Sequence, residues 1–239
     1  MRLHLLLVPF ALVACKPAAE KDNSTAPATA SVVAAKDAPP ALGPFSKIRN
    51  EGTAAIDATV GKAQSVTVAC SDGGSTARVM LSVTGNELLV KTKQNENTRC
   101  TVTVTVDALT ELTSHGTGAV NVHGKVALAK VTSEGTGAIH VDAIDVASFD
   151  VKSEGTGELT FGGKATSATI DLAGTGGLAA KELATESTKL KLTGTGSATV
   201  TATKKADVTL AGIGSVTVHG NPAEKLQKKE GLGKITFAP

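Results

Sequence analysis

The tripeptide Gly-Thr-Gly stands at Gly116-Thr117-Gly118, Gly135-Thr136-Gly137, Gly155-Thr156-Gly157, Gly174-Thr175-Gly176 and Gly194-Thr195-Gly196, and degenerate copies follow at Gly212-Ile213-Gly214 and Gly231-Leu232-Gly233. Successive first glycines are 19, 20, 19, 20, 18 and 19 residues apart. A fixed period of this length marks a repeat architecture, and it governs how every other motif in the chain is read.

The residues between motifs give the content of each repeat. Two positions after the second glycine stand Val120, Ile139, Leu159, Leu178, Ala198, Val216 and Ile235; four after it stand Val122, Val141, Phe161, Ala180, Val200, Val218 and Phe237. All are apolar, and the position between them is mostly polar. Strands point alternate side chains to opposite faces, so a strand follows each motif with these two columns turned inward. Four residues before the motif the column is Leu112, Val131, Val151, Ile170, Leu190 and Val208; two before it, Ser114, Ser133, Ser153, Leu172, Leu192 and Leu210. This predicts a second strand with both columns inward and a buried serine ladder in the early coils, its hydroxyls satisfied by stacked neighbours.

A repeat of about 19 residues cannot bury itself alone. Stacked coils, each strand pairing in parallel with its equivalent one coil on, solve this. The expectation is an all-β, right-handed parallel β-helix (β-solenoid) turning at Gly-x-Gly corners, the hand following from the crossover rule. Glycine is expected at the corner for its access to positive φ. The near absence of aromatic residues, 2% with no Trp or Tyr, suits narrow stacked strands. Before the repeats, Ser65–Ala69, Arg78–Val83, Glu87–Lys91 and Thr101–Val106 alternate as strands. Pro222–Glu230 breaks the inward column with Gln227 and reads as a charged end cap or a solvated loop.

Residues 1–15, MRLHLLLVPFALVAC, carry Arg2, a short apolar run and a cysteine. The run is too short to span a bilayer and reads as an export signal. Its end, Leu12-Val13-Ala14-Cys15, resembles a bacterial lipobox, which implies lipidation of Cys15. Lys16 after the cysteine favours an outer-membrane address. The organisation expected is a signal over 1–14, lipidated Cys15 with an Ala/Pro-rich tether over 15–43, and a β-solenoid over 44–239. With Cys15 lipidated, Cys70 and Cys100 remain, expected as a disulfide pair in an oxidising compartment, with two buried free thiols as the competing reading.

Phe45-x-x-Ile48, the segment Thr105-Val106-Asp107-Ala108-Leu109 and the Gly-Thr-Gly series together resemble the bacterial family "putative auto-transporter adhesin, head GIN domain" over residues 45–239. The resemblance implies a β-helix in a secreted or lipid-anchored protein and carries no catalytic residues. The last two motifs and the Pro222–Glu230 stretch depart from the pattern.

Chemistry is sparse. Gly174-Thr-Gly-Gly-Leu-Ala179 imitates a dinucleotide fingerprint but lacks the βαβ context. Two outward clusters are weak metal candidates: Glu134 and Glu154, preceded by His115, in one column, and His123, His140 and Asp142 beside Asn121. Solvated surface side chains are the competing reading of both. Net charge is +2 with no basic run interleaved with aromatics, so nucleic-acid binding is not expected. Neither catalytic residues nor a cofactor are expected. The reading is a lipid-anchored envelope module that binds a glycan or an envelope protein. The alternatives are a polysaccharide-acting β-helix enzyme and a structural protein that self-associates through its solenoid ends.

Overall fold

The structure is a computed structural model and describes residues 42–71, 75–93 and 99–239. The export signal, Cys15 and the tether up to residue 41 lie outside the described residues, as do the turns at Gly73-Gly74 and Asn95–Asn97.

Nearly every described residue from Lys47 on belongs to a strand or a tight corner. In chain order the strands are β1 Lys47–Glu51, β2 Ala55–Val60, β3 Ser65–Cys70, β4 Val79–Thr84, β5 Glu87–Thr92, β6 Cys100–Val106, β7 Glu111–Ser114, β8 Val120–Val126 and β9 Lys130–Ser133. There follow the long β10 Ile139–Ser153, β11 Leu159–Leu172, β12 Leu178–Leu192 and β13 Thr195–Leu210, then β14 Ile213–His219, β15 Glu224–Lys229 and β16 Lys234–Phe237. One 3-10 turn, Thr76–Arg78, interrupts them.

The strands stack as the repeat requires. Ile139 pairs with Val120 on one side and Leu159 on the other, all in parallel, and Leu178, Ala198, Val216 and Ile235 continue the column. This is a parallel β-solenoid of about seven 19-residue turns. Inward columns are buried from Val120 to Val218, and only the last pair, Ile235 and Phe237, is half-buried because no coil covers it. Phe149 and Phe161 meet edge to face inside, ring centroids 5.1 Å apart, a favoured aromatic geometry.

The corner glycines are there for a different reason from the one expected. None of the motif glycines has positive φ; the left-handed glycines of the repeats are Gly124 (φ 88°), Gly163 (φ 109°) and Gly220 (φ 90°), each six residues past the second motif glycine, at the next bend. What excludes a side chain at the motif is the neighbouring coil. A Cβ on Gly135, Gly155, Gly174 or Gly194 would fall well inside 3.0 Å of the carbonyl oxygen of the first glycine one coil before, and the second glycines clash in the same way. The corner continues the ladder: the Thr136 and Thr156 amides donate to the Gly116 and Gly135 carbonyls, each at 3.2 Å. Backbones held at that distance leave no room for a Cβ, whereas the intervening Thr projects into solvent.

Ser114, Ser133 and Ser153 are buried as expected, but they form no hydrogen-bonded ladder: the Ser114 and Ser133 hydroxyls have no protein partner. In-register parallel strands lie about 4.8 Å apart, too far for equivalent hydroxyls to bond directly. The column begins instead on Asn50, fully buried and opposite Ser114. Its Nδ2 donates to Gly118 O at 3.2 Å, and its Oδ1 accepts from the Gly52 amide at 3.1 Å.

The first strands are not simply added in order. β1 and β2 form a coil of their own, cornered at Gly52-Thr53-Ala54, on which β7 and β8 stack directly. The intervening chain folds to the outer side: β5 and β6 pair in parallel with β1 and β2, and β4 and β3 close the end as antiparallel strands. The expected Cys70–Cys100 disulfide joins β3 to β6. Leu42 already packs against this end, so the folded part begins slightly before residue 44. At the far end Pro222–Glu230 is not a loop: it contains β15, an exposed strand paired in parallel with β13, with Gln227 opposite Val208.

Candidate functional site

Stacking turns sequence positions about 19 residues apart into neighbours, and two outward clusters result. The first lies beside the Gly-x-Gly corner. The His115 Nδ1–H donates to Glu134 at 2.9 Å, while Nε2, 3.3 Å from Arg49 Nη1, accepts. Arg49 also meets Glu87 at 3.0 Å, and Lys91 meets Glu51 at 2.8 Å. Glu154 turns to Lys152 at 2.7 Å. The two carboxylates named from sequence are thus each matched to a basic group of the protein, Glu134 to His115 and Glu154 to Lys152. Lys91 holds the Glu51 carboxyl below its ordinary range.

The second cluster sits on the strands after the motif. His123 Nδ1 lies 2.9 Å from Asp142 Oδ2, and His123 Nε2 lies 3.1 Å from Asp57 Oδ1. The other Asp142 oxygen takes His140 Nε2 at 3.0 Å. The hydrogen bond to Asp142, helped by Asp57, raises the His123 pKa; the same bond lowers that of Asp142. When protonated, the His123 ring bridges two carboxylates across three successive coils, β2, β8 and β10. With both nitrogens engaged, His123 offers no lone pair to a metal or a substrate proton. Among the described residues no group of three or more His, Cys, Asp or Glu is placed to hold a metal ion.

Sequence reasoning brought His123, His140 and Asp142 together correctly and missed Asp57, Arg49 and Glu51. All three missed residues belong to the coil cornered at Gly52-Thr53-Ala54. The signal was present: Ile48 and Asn50 stand four and two residues before Gly52, and Ile56 and Ala58 two and four after Ala54, which is the repeat template with Ala in place of the second glycine.

Beside this cluster lies an open hollow of about 330 Å³. It is lined by His140, Asp142, Thr160, Gly162, Lys181 and Glu182 and by the strand backbone at Val141 and Phe161, whose side chains are buried in the core. Such a concavity, with hydrogen-bonding side chains at its edge, has room for a small ligand group.

The family model described as "Putative auto-transporter adhesin, head GIN domain" matches residues 44–222. The chain belongs to this family. A comparison with curated proteins finds no match. Among solved structures, a "putative adhesin" from Bacteroides fragilis is 23% identical with a TM-score of 0.76, over 82% of this chain and 94% of that one. A "putative adhesin" from Parabacteroides distasonis (17% identity, TM-score 0.64) covers 82% of this chain and 94% of its own. A "putative lipid binding protein" from the same species (18%, TM-score 0.63) covers 83% of this chain and 94% of its own. At these identities the neighbours show a shared fold, matched across nearly their whole length.

Proposed function

We propose that this head GIN domain protein is a non-catalytic binding module, held at the cell envelope by a lipid on Cys15 and displaying its solenoid to a glycan or another envelope component. The observation that carries the reading is the hollow beside His140 and Asp142. Its rim offers donors and acceptors, Lys181 and Glu182 among them, and the histidine in its wall hydrogen-bonds a carboxylate rather than a nucleophile. The family description and the adhesin names of two structural neighbours point the same way. The apolar leader ending in Cys15, followed by the Ala/Pro-rich segment, supports export and anchoring.

A glycan array coupled to a turnover assay tests the binding claim. The expected result is saturable retention of a glycan whose mass is unchanged after incubation, weakened several-fold by Lys181→Ala. Release of a shortened product would instead assign a polysaccharide-acting enzyme. Metabolic labelling with an alkyne fatty acid tests the anchor: label is expected on the wild type and lost in Cys15→Ser.

A further inference from the structure

The two degenerate corners change the surface at one end of the solenoid. Where earlier coils present Thr117, Thr136, Thr156, Thr175 and Thr195 to solvent, the last two present Ile213 and Leu232, 59% and 88% exposed on adjacent coils. Leu226 on β15 is 44% exposed in the same final coil. Three of the four exposed large apolar residues among those described therefore gather at the C-terminal end. The chain enters at the other end, where the Gly43 carbonyl accepts from Gln64 Nε2 at 2.9 Å, close to β3 and β4.

The same coil is cationic. Residues 220–239 hold four lysines and two glutamates, a net +2. Lys228 and Glu230 pair, and Glu224 pairs with Lys205 of the preceding coil. Lys225 lies over the Phe237 ring at 5.5 Å, while Lys229, at an inward position of β15, and Lys234, at an outward position of β16, have no ion pair among the described residues. Ile213 and Leu232 stand at equivalent corner positions of adjacent coils, so the apolar patch at the corner is two side chains long. A protein partner of ordinary size needs roughly 800 Å² per side on a broad face, which a narrow corner does not offer. Protruding aliphatic groups flanked by lysines match the headgroup–acyl boundary of an anionic bilayer, which takes up apolar side chains while its phosphates receive the ammonium groups.

We propose that this C-terminal tip, Ile213, Leu226 and Leu232 with Lys234, docks on an anionic lipid surface. The inference goes beyond the glycan-binding reading and needs neither the hollow nor the N-terminal anchor, so either can fail alone.

The test places an environment-sensitive fluorophore on Ser215→Cys at the tip or on Lys62→Cys near the opposite end, in the full chain carrying Cys15→Ser. Vesicles of phosphatidylglycerol and phosphatidylcholine are added, and vesicles of phosphatidylcholine alone serve as the comparison. The expected result is a blue shift of the tip label on anionic vesicles, quenched by brominated lipid and weakened by salt, with the Lys62 label unmoved. Ile213→Thr with Leu232→Thr, which restores the residue of the other corners, is expected to weaken the apparent affinity about tenfold. A tip label unmoved at saturating vesicles, or a double-threonine variant that keeps the full signal, overturns the proposal. So does a tip signal given by an acidic envelope protein and not by vesicles, which would assign a protein partner.

Discussion

Ser133 and Asn50 show how differently two buried polar residues in one column behave. The Ser133 hydroxyl has no protein partner, so removing it discards an unmade bond. Ser133→Ala is expected to leave stability unchanged or raise it by up to about 1 kcal/mol. Asn50 bridges two backbone groups of the corner, and Asn50→Ala should cost about 2 kcal/mol or more by stranding both. Urea unfolding of the two variants checks the contrast. The burial of Ser133 was legible from period-2 alternation. Its lack of a partner was not, because that depends on the distance between coils.

His123 gives the surface cluster its pH dependence. Its pKa is raised above 6.5, chiefly by the bond to Asp142, so its contribution is complete below the unfolded-state value and fades as pH rises through the folded one. The Asp142 pKa is lowered below 3.8 by the same bond, so its share is lost as pH falls through that lower value. The unfolding midpoint of wild type relative to His123→Gln should therefore be greatest between about pH 4 and 6.5 and shrink on either side. A difference that grows above neutral pH would contradict the pairing. Both side chains are more than two-fifths exposed, so the effect is expected to be small.

Among the elements, β3 depends most on a covalent tie, since it pairs only with β6 in the described sheet. The Cys70–Cys100 bond spans 30 residues, and Cys70→Ser with Cys100→Ser should cost about 3–4 kcal/mol. Hydrogen exchange should rise first in the edge strands, β3 and β4 at one end and β15 and β16 at the other, and last in β10–β12. β3 to β6 were readable individually from their alternation, and the pairing of Cys70 with Cys100 came from the cysteine count. Their order was not: nothing in Ser65–Val106 says that β5 and β6 pass outside β1 and β2, because that is decided by which strand edges are open once β1 and β2 have formed. β15 was hidden for a related reason. Its inward positions are Lys225, Gln227 and Lys229, so it carries no apolar alternation, and such inward charges at a sheet edge discourage further pairing.

At the scale of the molecule, each coil rests only on its neighbours, and the ends matter most. Removing Pro222–Pro239 would uncover Val208, Leu210, Val216 and Val218, now buried, together with an uncharged strand edge. Light scattering should then report more association than for the intact chain, whose lysine-bearing edge discourages pairing. The solenoid itself was legible because a 19-residue period fixes what stacks on what. The candidate site was only half legible, since Asp57 and Arg49 sit in a coil whose corner lacks its second glycine.

The central claim is that Gly-Thr-Gly marks a corner where successive backbones touch, with the threonine left to solvent. Equilibrium unfolding of Gly155→Ala beside Thr156→Ala tests it in the middle of the stack. Gly155→Ala should lose about 2–3 kcal/mol or more, because its Cβ meets the Gly135 carbonyl and neither backbone can retreat without disturbing the next coil. Thr156→Ala should stay within about 0.5 kcal/mol of wild type. Equal costs at the two positions, or a Gly155→Ala protein as stable as wild type, would contradict the account.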